Sequence, residues 1–231
     1  GPDTLVIRFN GGSQAGHTVA APDGRRHVFS QIGSGSFSRA ASYLSRFFVA
    51  NPILFLEEYQ QLLALGVRPR VFADRRAPVT TPYDIMLNQA LETARGHGRH
   101  GSCGMGFGET IERQERGGFS LTVGDLADGG CIADQLRRIR SHYLPRRMAE
   151  LGLSSVSEFA ASDELIDRFV TDARRFDQLV QPVDESIMRS GRQLLFEGAQ
   201  GLLLDMDRGD FPHVTRSNTG LKNVVELAAA A

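Results

Sequence analysis

The sequence predicts an α/β fold with a central, mainly parallel sheet, flanking helices and a helical excursion around residues 126–190. Short runs rich in β-branched and aromatic residues read as strands: "TLVIRF" (4–9), "RHVFS" (26–30) and "RQLLFEG" (192–198). Segments between them show the three-to-four-residue apolar period of helices. Alternating strands and helices are typical of parallel sheets. Since no repeat, low-complexity tract or linker interrupts it, the whole chain, 1–231, is predicted to be one domain.

The segment after the second strand is predicted to contain a short helix, a strand and a longer helix. The short helix starts near residue 39, and "FFVA" (47–50) is the predicted strand. A longer helix is expected after Asn51 and Pro52, because asparagine caps helix starts and proline suits the first turn. Gly66 is its expected stop.

Further along, "RPRVFAD" (68–74) is a predicted strand. A second capped helix is expected over residues 81–96, where threonine and proline precede an apolar period that ends in glycine. The middle of the chain, from Asp125 to Val183, has a strong helical pattern with an expected break near Pro145. A strand that opens onto a glycine loop, "RQLLFEG", then completes the pattern.

Composition restricts the partners. The chain has 26 basic and 27 acidic residues and a net charge of −1, which gives no reason to expect a nucleic acid or a membrane as partner. No apolar run approaches the roughly 18 residues of a membrane-spanning helix. Cys103 and Cys131 form no CxxC motif, and a reduced, cytoplasmic setting is expected. The 25 glycines are unusual because they cluster, at 11–16, 33–35, 96–108 and 198–201.

Three glycine loops are candidate ligand loops. Two of them, in "VIRFNGGSQAGHT" and "LLFEGAQGLLLDMD", follow predicted strands, and ligands of open parallel sheets bind beyond the carboxyl ends of strands. The third, "GHGRHGSCGMGFGET" (96–110), leads into a helix, where backbone amides and the helix dipole favour a phosphate. The chain contains no GxxxxGK[ST] loop. On residue types alone, ligand loops and structural turns remain equally open interpretations.

Taken together, three ordered passages resemble the adenylosuccinate synthetase family. They are "VIRFNGGSQAGHTV", "HGSCGMGFGET" with the following "VGDL", and "LLFEGAQGLLLDMDRGDFPHVTRSNTG". The last passage is long and unusual, and therefore the most specific. The resemblance covers nearly the whole chain but lacks the family's opening GDEGKGK-type loop and its C-terminal half, so a divergent member or a fragment of a longer enzyme is expected.

The resemblance implies a ligase of purine nucleotide biosynthesis. That family joins L-aspartate to IMP with GTP and Mg²⁺, first phosphorylating the 6-oxygen of IMP and then displacing that phosphate with the aspartate amine. ATP is an alternative donor, and a homodimer in the cytoplasm is expected. Two other hypotheses about function remain open. The chain could be part of a related ligase acting on dGMP, or a non-catalytic purine-nucleotide-binding module that kept the scaffold.

The first two passages carry five implied site residues. His17 corresponds to the family's catalytic histidine at the 6-oxygen, a general-acid role suited to imidazole. Gly16 corresponds to a position whose carbonyl helps to hold magnesium. Gln14 stands where the family has a substrate-binding asparagine. Cys103 replaces the family's phosphate-binding threonine, with Ser102 beside it.

The remaining implied residues are spread over two regions. Gln200 and Thr215 correspond to substrate-binding positions in the third passage. Arg116 lies where the family supplies an arginine across its dimer interface, and Arg113 is a candidate substitute because the spacing differs by one residue. Asp205 and Asp207 could hold a cation, although alternation in a short strand or a capping role is the preferred interpretation.

Overall fold

The computed structural model describes residues 1–98 and 101–230. Its strands are β1 Thr4–Arg8, β2 His17–Ala20, β3 Arg26–Phe29, β4 Ala41–Leu44, β5 Val71–Asp74, β6 Val180–Val183 and β7 Gln193–Glu197. Its α-helices are α1 Pro52–Ala64, α2 Pro82–Arg95, α3 Phe107–Glu115, α4 Gly129–Arg138, α5 Leu144–Leu151, α6 Asp163–Leu179 and α7 Lys222–Ala230. None of the helices in these ranges is long and apolar enough to cross a membrane.

Five parallel strands form the central sheet in the order β6-β5-β4-β1-β7, which confirms the predicted fold class. Strand β1 lies between β4 and the edge strand β7 and is buried along its whole length, as expected for a parallel strand covered on both faces. Its register pairs Arg8 with Leu44 on one side and with Glu197 on the other. The glycine loops that follow β1 and β7 therefore start side by side, at the carboxyl ends of these two strands.

Two buried apolar clusters hold the helices against the sheet. The larger one includes α1 and α6, where the Phe55 and Phe176 rings meet edge to face with centroids 4.7 Å apart. The smaller one joins Leu5, Ile7 and Tyr43 of the sheet to Leu227 of α7. Both faces of the sheet are thereby covered, and the carboxyl ends of β1 and β7 are left for the loops.

The helix boundaries confirm the predicted caps. The Asn51 side chain accepts a hydrogen bond from the Leu54 amide at 3.2 Å, and Pro52 occupies the first turn of α1. Thr81 and Asp84 form a reciprocal capping box at the start of α2. Gly66 follows the end of α1 with a φ of +74°, a left-handed conformation suited to glycine.

Residues 39–50 differ from the prediction. The expected short helix is instead β4, Ala41–Leu44, and the expected strand at 47–50 is a turn that ends in one bridge, between Ala50 and Val79. The "ASYL" residues of β4 have mixed local preference. They become a strand because they lie, fully buried, between β1 and β5.

The predicted helical region also needs correction. It ends at Leu179, because Val180–Val183 joins the sheet as β6, an edge strand that tolerates Pro182. The expected break near Pro145 is absent: α4 continues into α5 through a π-helical turn, Ile139–Tyr143. Proline has no amide hydrogen to donate to a helical hydrogen bond. The wider π-helical turn before Pro145 tolerates this missing bond, so the helix continues.

The residues after the first glycine loop form an additional strand. His17–Ala20 pairs antiparallel with Arg26–Phe29 in a two-stranded ribbon beside the main sheet. His17 therefore begins a strand, whereas the sequence placed it within a loop.

Candidate functional site

A single asparagine joins the loops that follow β1 and β7. The Asn10 side chain donates to the Ala199 carbonyl at 2.9 Å and accepts from the Ala199 amide at 2.7 Å. It is completely buried, so both bonds form away from water. Chain segments 189 residues apart are thereby held as one surface.

The backbones of these loops approach each other closely. Gly11 has a φ of +72°, and a Cβ atom at this position would lie 2.7 Å from the Ala199 Cβ. A Cβ atom on Gly12 would lie 2.8 Å from the Val49 carbonyl oxygen. Glycine is therefore required here because no side chain fits between the chains, as the glycine-loop pattern predicts.

A buried charge cluster lies directly beneath the loops. Arg8 and Glu197, the paired last residues of β1 and β7, form an ion pair with 3.4 Å between Arg8 Nε and Glu197 Oε1. The same carboxyl oxygen is 3.6 Å from His17 Nδ1. Ser34 donates to the carboxylate from its amide and its hydroxyl. His17 is the outermost member, with 28% of its side chain exposed.

The cluster keeps Glu197 ionised. Burial is the largest influence and raises the pKa of its carboxyl, but the His17 ring, the Arg8 charge and the Ser34 hydroxyl together outweigh it. The pKa of Glu197 therefore lies below its usual value. Burial also lowers the pKa of Arg8, only partly offset by Glu197 and Glu58. His17 thus faces a fixed carboxylate.

A cavity of about 650 Å³ is lined in part by residues of the same two loops, Gln14 and Gln200, and collects most of the implied substrate-binding residues. Its volume is that of a typical small-ligand site. The implied residues in its lining are Gln14, Ser102, Cys103, Gln200 and Thr215. They come from all three sequence passages, which the fold brings to one place.

Two side-chain amides in the cavity wall lack partners. Both polar atoms of the Gln14 amide and the Gln200 carbonyl oxygen are buried without a hydrogen bond in the described part of the chain. Gln200 also has a φ of +67°, which is unusual for a residue other than glycine. Unsatisfied buried polar groups are costly and tend to mark positions where a ligand supplies the partner. These amides therefore point to a polar ligand in the cavity.

The loop that carries Ser102 and Cys103 is fixed to α2 by Asn88. Its side chain donates to Ser102 Oγ at 2.8 Å and accepts from the Gly106 amide at 3.1 Å. Arg99 and His100, at the start of this loop, lie outside the described residues. The loop then enters α3, whose first residues, Phe107 and Gly108, line the cavity, and the start of a helix favours a phosphate.

Four implied residues lie outside this cavity. Gly16 and His17 follow Gln14 by two and three residues but are not in the lining. Arg116 lies at the end of α3, in ion pairs with Glu112 and Glu150. Arg113 is not a substitute for it, because its guanidinium is fully buried against Asp84.

The acidic residues of the third passage have a structural role. Asp205 is buried, and its carboxylate accepts hydrogen bonds from the amides of Asp207, Thr219 and Gly220. Asp207 instead pairs with Lys222 at 2.9 Å. The Asp205 carboxylate thus binds backbone amides of its own loop, in agreement with the capping interpretation, whereas the Asp207 carboxylate is held by side chains.

The described residues do not make a complete magnesium site. Residues 1–98 and 101–230 contain no group of three His, Cys, Asp or Glu placed to hold a metal ion. Gly16 could add one backbone oxygen, whereas Mg²⁺ needs six oxygen ligands, usually one or two carboxylates with phosphates and water. Most ligands of such an ion would have to come from a nucleotide or from other segments.

Sequence reasoning missed Arg8, Glu197 and Asn10. A signal was present, because each is a charged or amide residue at the end of an apolar strand, next to a glycine loop. The sequence could not show that Arg8 and Glu197 are neighbours, since that depends on the order of the strands in the sheet.

The free energy of unfolding should fall as pH decreases from about 6 to about 3. Glu197 and Asp74 are buried carboxylates whose pKa values lie below the usual values, although burial alone would raise them. The unfolded chain then binds more protons than the folded chain below about pH 4.5, so stability is present above that pH and is lost below it. Urea unfolding at stepped pH measures this. If the free energy of unfolding falls equally steeply with decreasing pH in Glu197→Gln, Glu197 does not contribute to the pH dependence.

Comparison with protein families gives a consistent match. The sequence model described as adenylosuccinate synthetase matches residues 3–230. Adenylosuccinate synthetase of Burkholderia mallei is 36% identical over 219 residues, covering 92% of this chain and 48% of the relative. The Aliivibrio fischeri protein is 34% identical over 221 residues, covering 93% and 49%. The chain thus spans about half the length of the curated relatives it matches.

Two solved structures resemble the fold. Fully ligated adenylosuccinate synthetase of Plasmodium falciparum superposes with a TM-score of 0.75, covering 96% of this chain and 51% of that chain. Succinoaminodeoxyadenylate synthetase of cyanophage S-2L, solved with dGMP and with dATP as an energy donor, gives a TM-score of 0.58, covering 99% and 51%. Each is 20% identical to this chain, so these likenesses show the fold alone.

Proposed function

Because the chain belongs to the adenylosuccinate synthetase family, we propose that it carries the acceptor-nucleotide site of a ligase that joins L-aspartate to IMP. One observation carries this proposal. The cavity gathers Gln14, Ser102, Cys103, Gln200 and Thr215 from three separate passages, and it contains buried amides that have no partner among residues 1–98 and 101–230. A purine edge offers the donors and acceptors that these amides lack.

The cavity wall suggests how a nucleotide would lie. Ser102, Cys103 and the start of α3 are placed for the phosphate, because hydroxyl groups and helix-start amides bind anions. Gln14 and Gln200 on the opposite loops would face the base. This orientation leads the 6-oxygen toward the loop that ends in His17. The imidazole would then donate a hydrogen bond to that oxygen as it is phosphorylated, and stabilise its developing charge.

Further components of the proposal concern the complete protein. GTP, or alternatively ATP, would donate the phosphoryl group, and Mg²⁺ would neutralise the phosphates, with Gly16 supplying one oxygen. Arg116 is 30% exposed and matches the position of the family's interface arginine, so a homodimer that shares the site is proposed. The reaction would belong to purine nucleotide biosynthesis in the cytoplasm.

Thermal unfolding with separate nucleotides tests the acceptor site. IMP at about 100 times its dissociation constant should stabilise the chain by about 2.7 kcal/mol, because ligand binds only the folded state. Gln14→Ala and Gln200→Ala should reduce this shift. Gln61→Ala, on the exposed side of α1, is a matched control and should leave it unchanged.

The remaining nucleotides separate the alternatives. A larger shift with dGMP than with IMP would favour the related ligase, which Gln14, Cys103 and the fold likeness to the cyanophage enzyme keep open. A shift with IMP, together with no product from the complete protein given aspartate, GTP and Mg²⁺, would favour the non-catalytic module. Equal nucleotide-dependent thermal shifts in the unaltered chain and in Gln200→Ala would show that the nucleotide does not bind in this cavity.

A further inference from the structure

Glu197 is a buried carboxylate that the proposed reaction does not yet use. It ends β7 with 7% exposure and lies outside the lining of the cavity. Removing a carboxylate and a guanidinium from water costs several kcal/mol for each ion, and their mutual attraction often fails to recover it. Stability alone is therefore a weak reason for the Arg8–Glu197 pair. A buried, perturbed carboxylate next to a cleft is a candidate for a functional role.

The contacts of Glu197 fix the direction of its carboxylate. Oε2 accepts from the Ser34 amide at 3.1 Å and from the Ser34 hydroxyl. Arg8 lies on the side of Oε1, and is itself held by the carbonyls of Ser30 and Ile32. With these partners in place the carboxylate cannot rotate freely. Its Oε1 atom stays directed at the imidazole.

We propose that Glu197 is a positioning residue for His17, holding the Nδ1 side of the ring so that Nε2 faces the substrate oxygen. The inference rests on the proposed function, because His17 matters only if it acts at that oxygen. Within the described residues, the carboxylate is the one polar contact of the His17 ring. Arg8 acts behind it as the group that fixes Glu197.

The chemistry follows from the charge of Glu197. An ionised carboxylate only accepts hydrogen bonds, so the nitrogen next to it must carry a proton. With Nδ1–H held in this way, the second proton of the imidazolium form lies on Nε2, and it is this proton that the ring donates toward the 6-oxygen. The 3.6 Å separation is longer than a hydrogen bond, and such contacts commonly shorten when substrate binds.

A purely structural role for Glu197 predicts a different state of the histidine. In that case the carboxylate serves only Arg8 and the Ser34 segment. The tautomer of the neutral His17 ring would then be set by the surrounding water, in which imidazole prefers the proton on Nε2. The two roles therefore differ in the tautomer of His17, a property that fold stability does not set.

Long-range ¹H–¹⁵N NMR of the chain with ¹⁵N-labelled histidine measures that tautomer. At pH about 8.5 imidazole is neutral. The His17 signal is identified among the six histidines by its loss in His17→Gln. We expect the Nδ1–H tautomer to predominate in the unaltered chain, and a shift of the major form to Nε2–H in Glu197→Gln.

Glu57→Gln, on the exposed side of α1, is the matched control and should leave the signal unchanged. A predominant Nε2–H form in the unaltered chain would overturn the proposal, even if Glu197→Gln did not fold. The nucleotide shifts described above are a separate readout. The expected tautomer without any nucleotide binding would reject the proposed function alone, and nucleotide binding with the opposite tautomer would reject the positioning role alone.

Discussion

Replacing Arg113 by methionine should remove about 3–5 kcal/mol from the free energy of unfolding. Arg113 and Asp84 are both completely buried, with Arg113 Nε 2.9 Å from Asp84 Oδ1. The guanidinium also donates to the carbonyls of Val79 and Phe119. Methionine fills similar space but leaves a buried carboxylate and two carbonyls without these donors. Since small domains are stable by about 5–15 kcal/mol, this is a large fraction of the total.

Urea unfolding of Arg113→Met and Arg116→Met gives the comparison. Arg116 lies three positions later, and its ion pairs with Glu112 and Glu150 are partly exposed. Such pairs contribute about 0–1 kcal/mol, so Arg116→Met should unfold close to the unaltered chain. If both variants lose the same free energy of unfolding, burial is not the reason that the Arg113–Asp84 pair stabilises the fold.

Changing Gly106 to alanine should destabilise the chain by about 2–5 kcal/mol and remove nucleotide binding. Gly106 precedes α3 with a φ of +75°. A Cβ atom there would lie 2.7 Å from the Ile85 amide nitrogen and 2.8 Å from the Asp84 carbonyl carbon. These are backbone atoms in the first turn of α2, so they cannot move without opening the capping box. The loop with Ser102 and Cys103 would be displaced.

Gly117→Ala is the matched control for this substitution. Gly117 has a φ of +66°, but a Cβ atom there would meet no atom within 4 Å in the described part of the chain. It isolates the cost of a left-handed conformation, about 1–2 kcal/mol, from the cost of the steric clash. Unfolding free energies and IMP-dependent thermal shifts of both variants are the measurements. A Gly106→Ala chain as stable as Gly117→Ala would show that the contact with α2 can relax.

Locally encoded features could be read from the sequence. Two helix starts are examples: Asn51 with Pro52, and Thr81. Both caps form through contacts within four residues along the chain, and the structure contains both. The strands "TLVIRF" and "RQLLFEG" were also correct, because glycine loops bound apolar runs on their carboxyl sides. The three passages likewise supplied the cavity residues, since a motif keeps its order along the chain.

Contacts distant in sequence were decided by the tertiary structure. Ala41–Leu44 and Val180–Val183 are strands because β5 and its neighbours offer them hydrogen bonds, a condition that local preference does not contain. Arg113 and Arg116 look alike in sequence, yet one is enclosed by Asp84 and the other faces solvent.

The His17–Glu197 contact depends on strand order in the same way. The family, the fold class and the loops that line the cavity could be predicted from the sequence. Only the parallel pairing of β1 with β7 placed Arg8 beside Glu197, and thereby a fixed carboxylate beside His17. Residues so far apart along the chain meet only after the sheet has assembled, because its order sets which strand ends are neighbours.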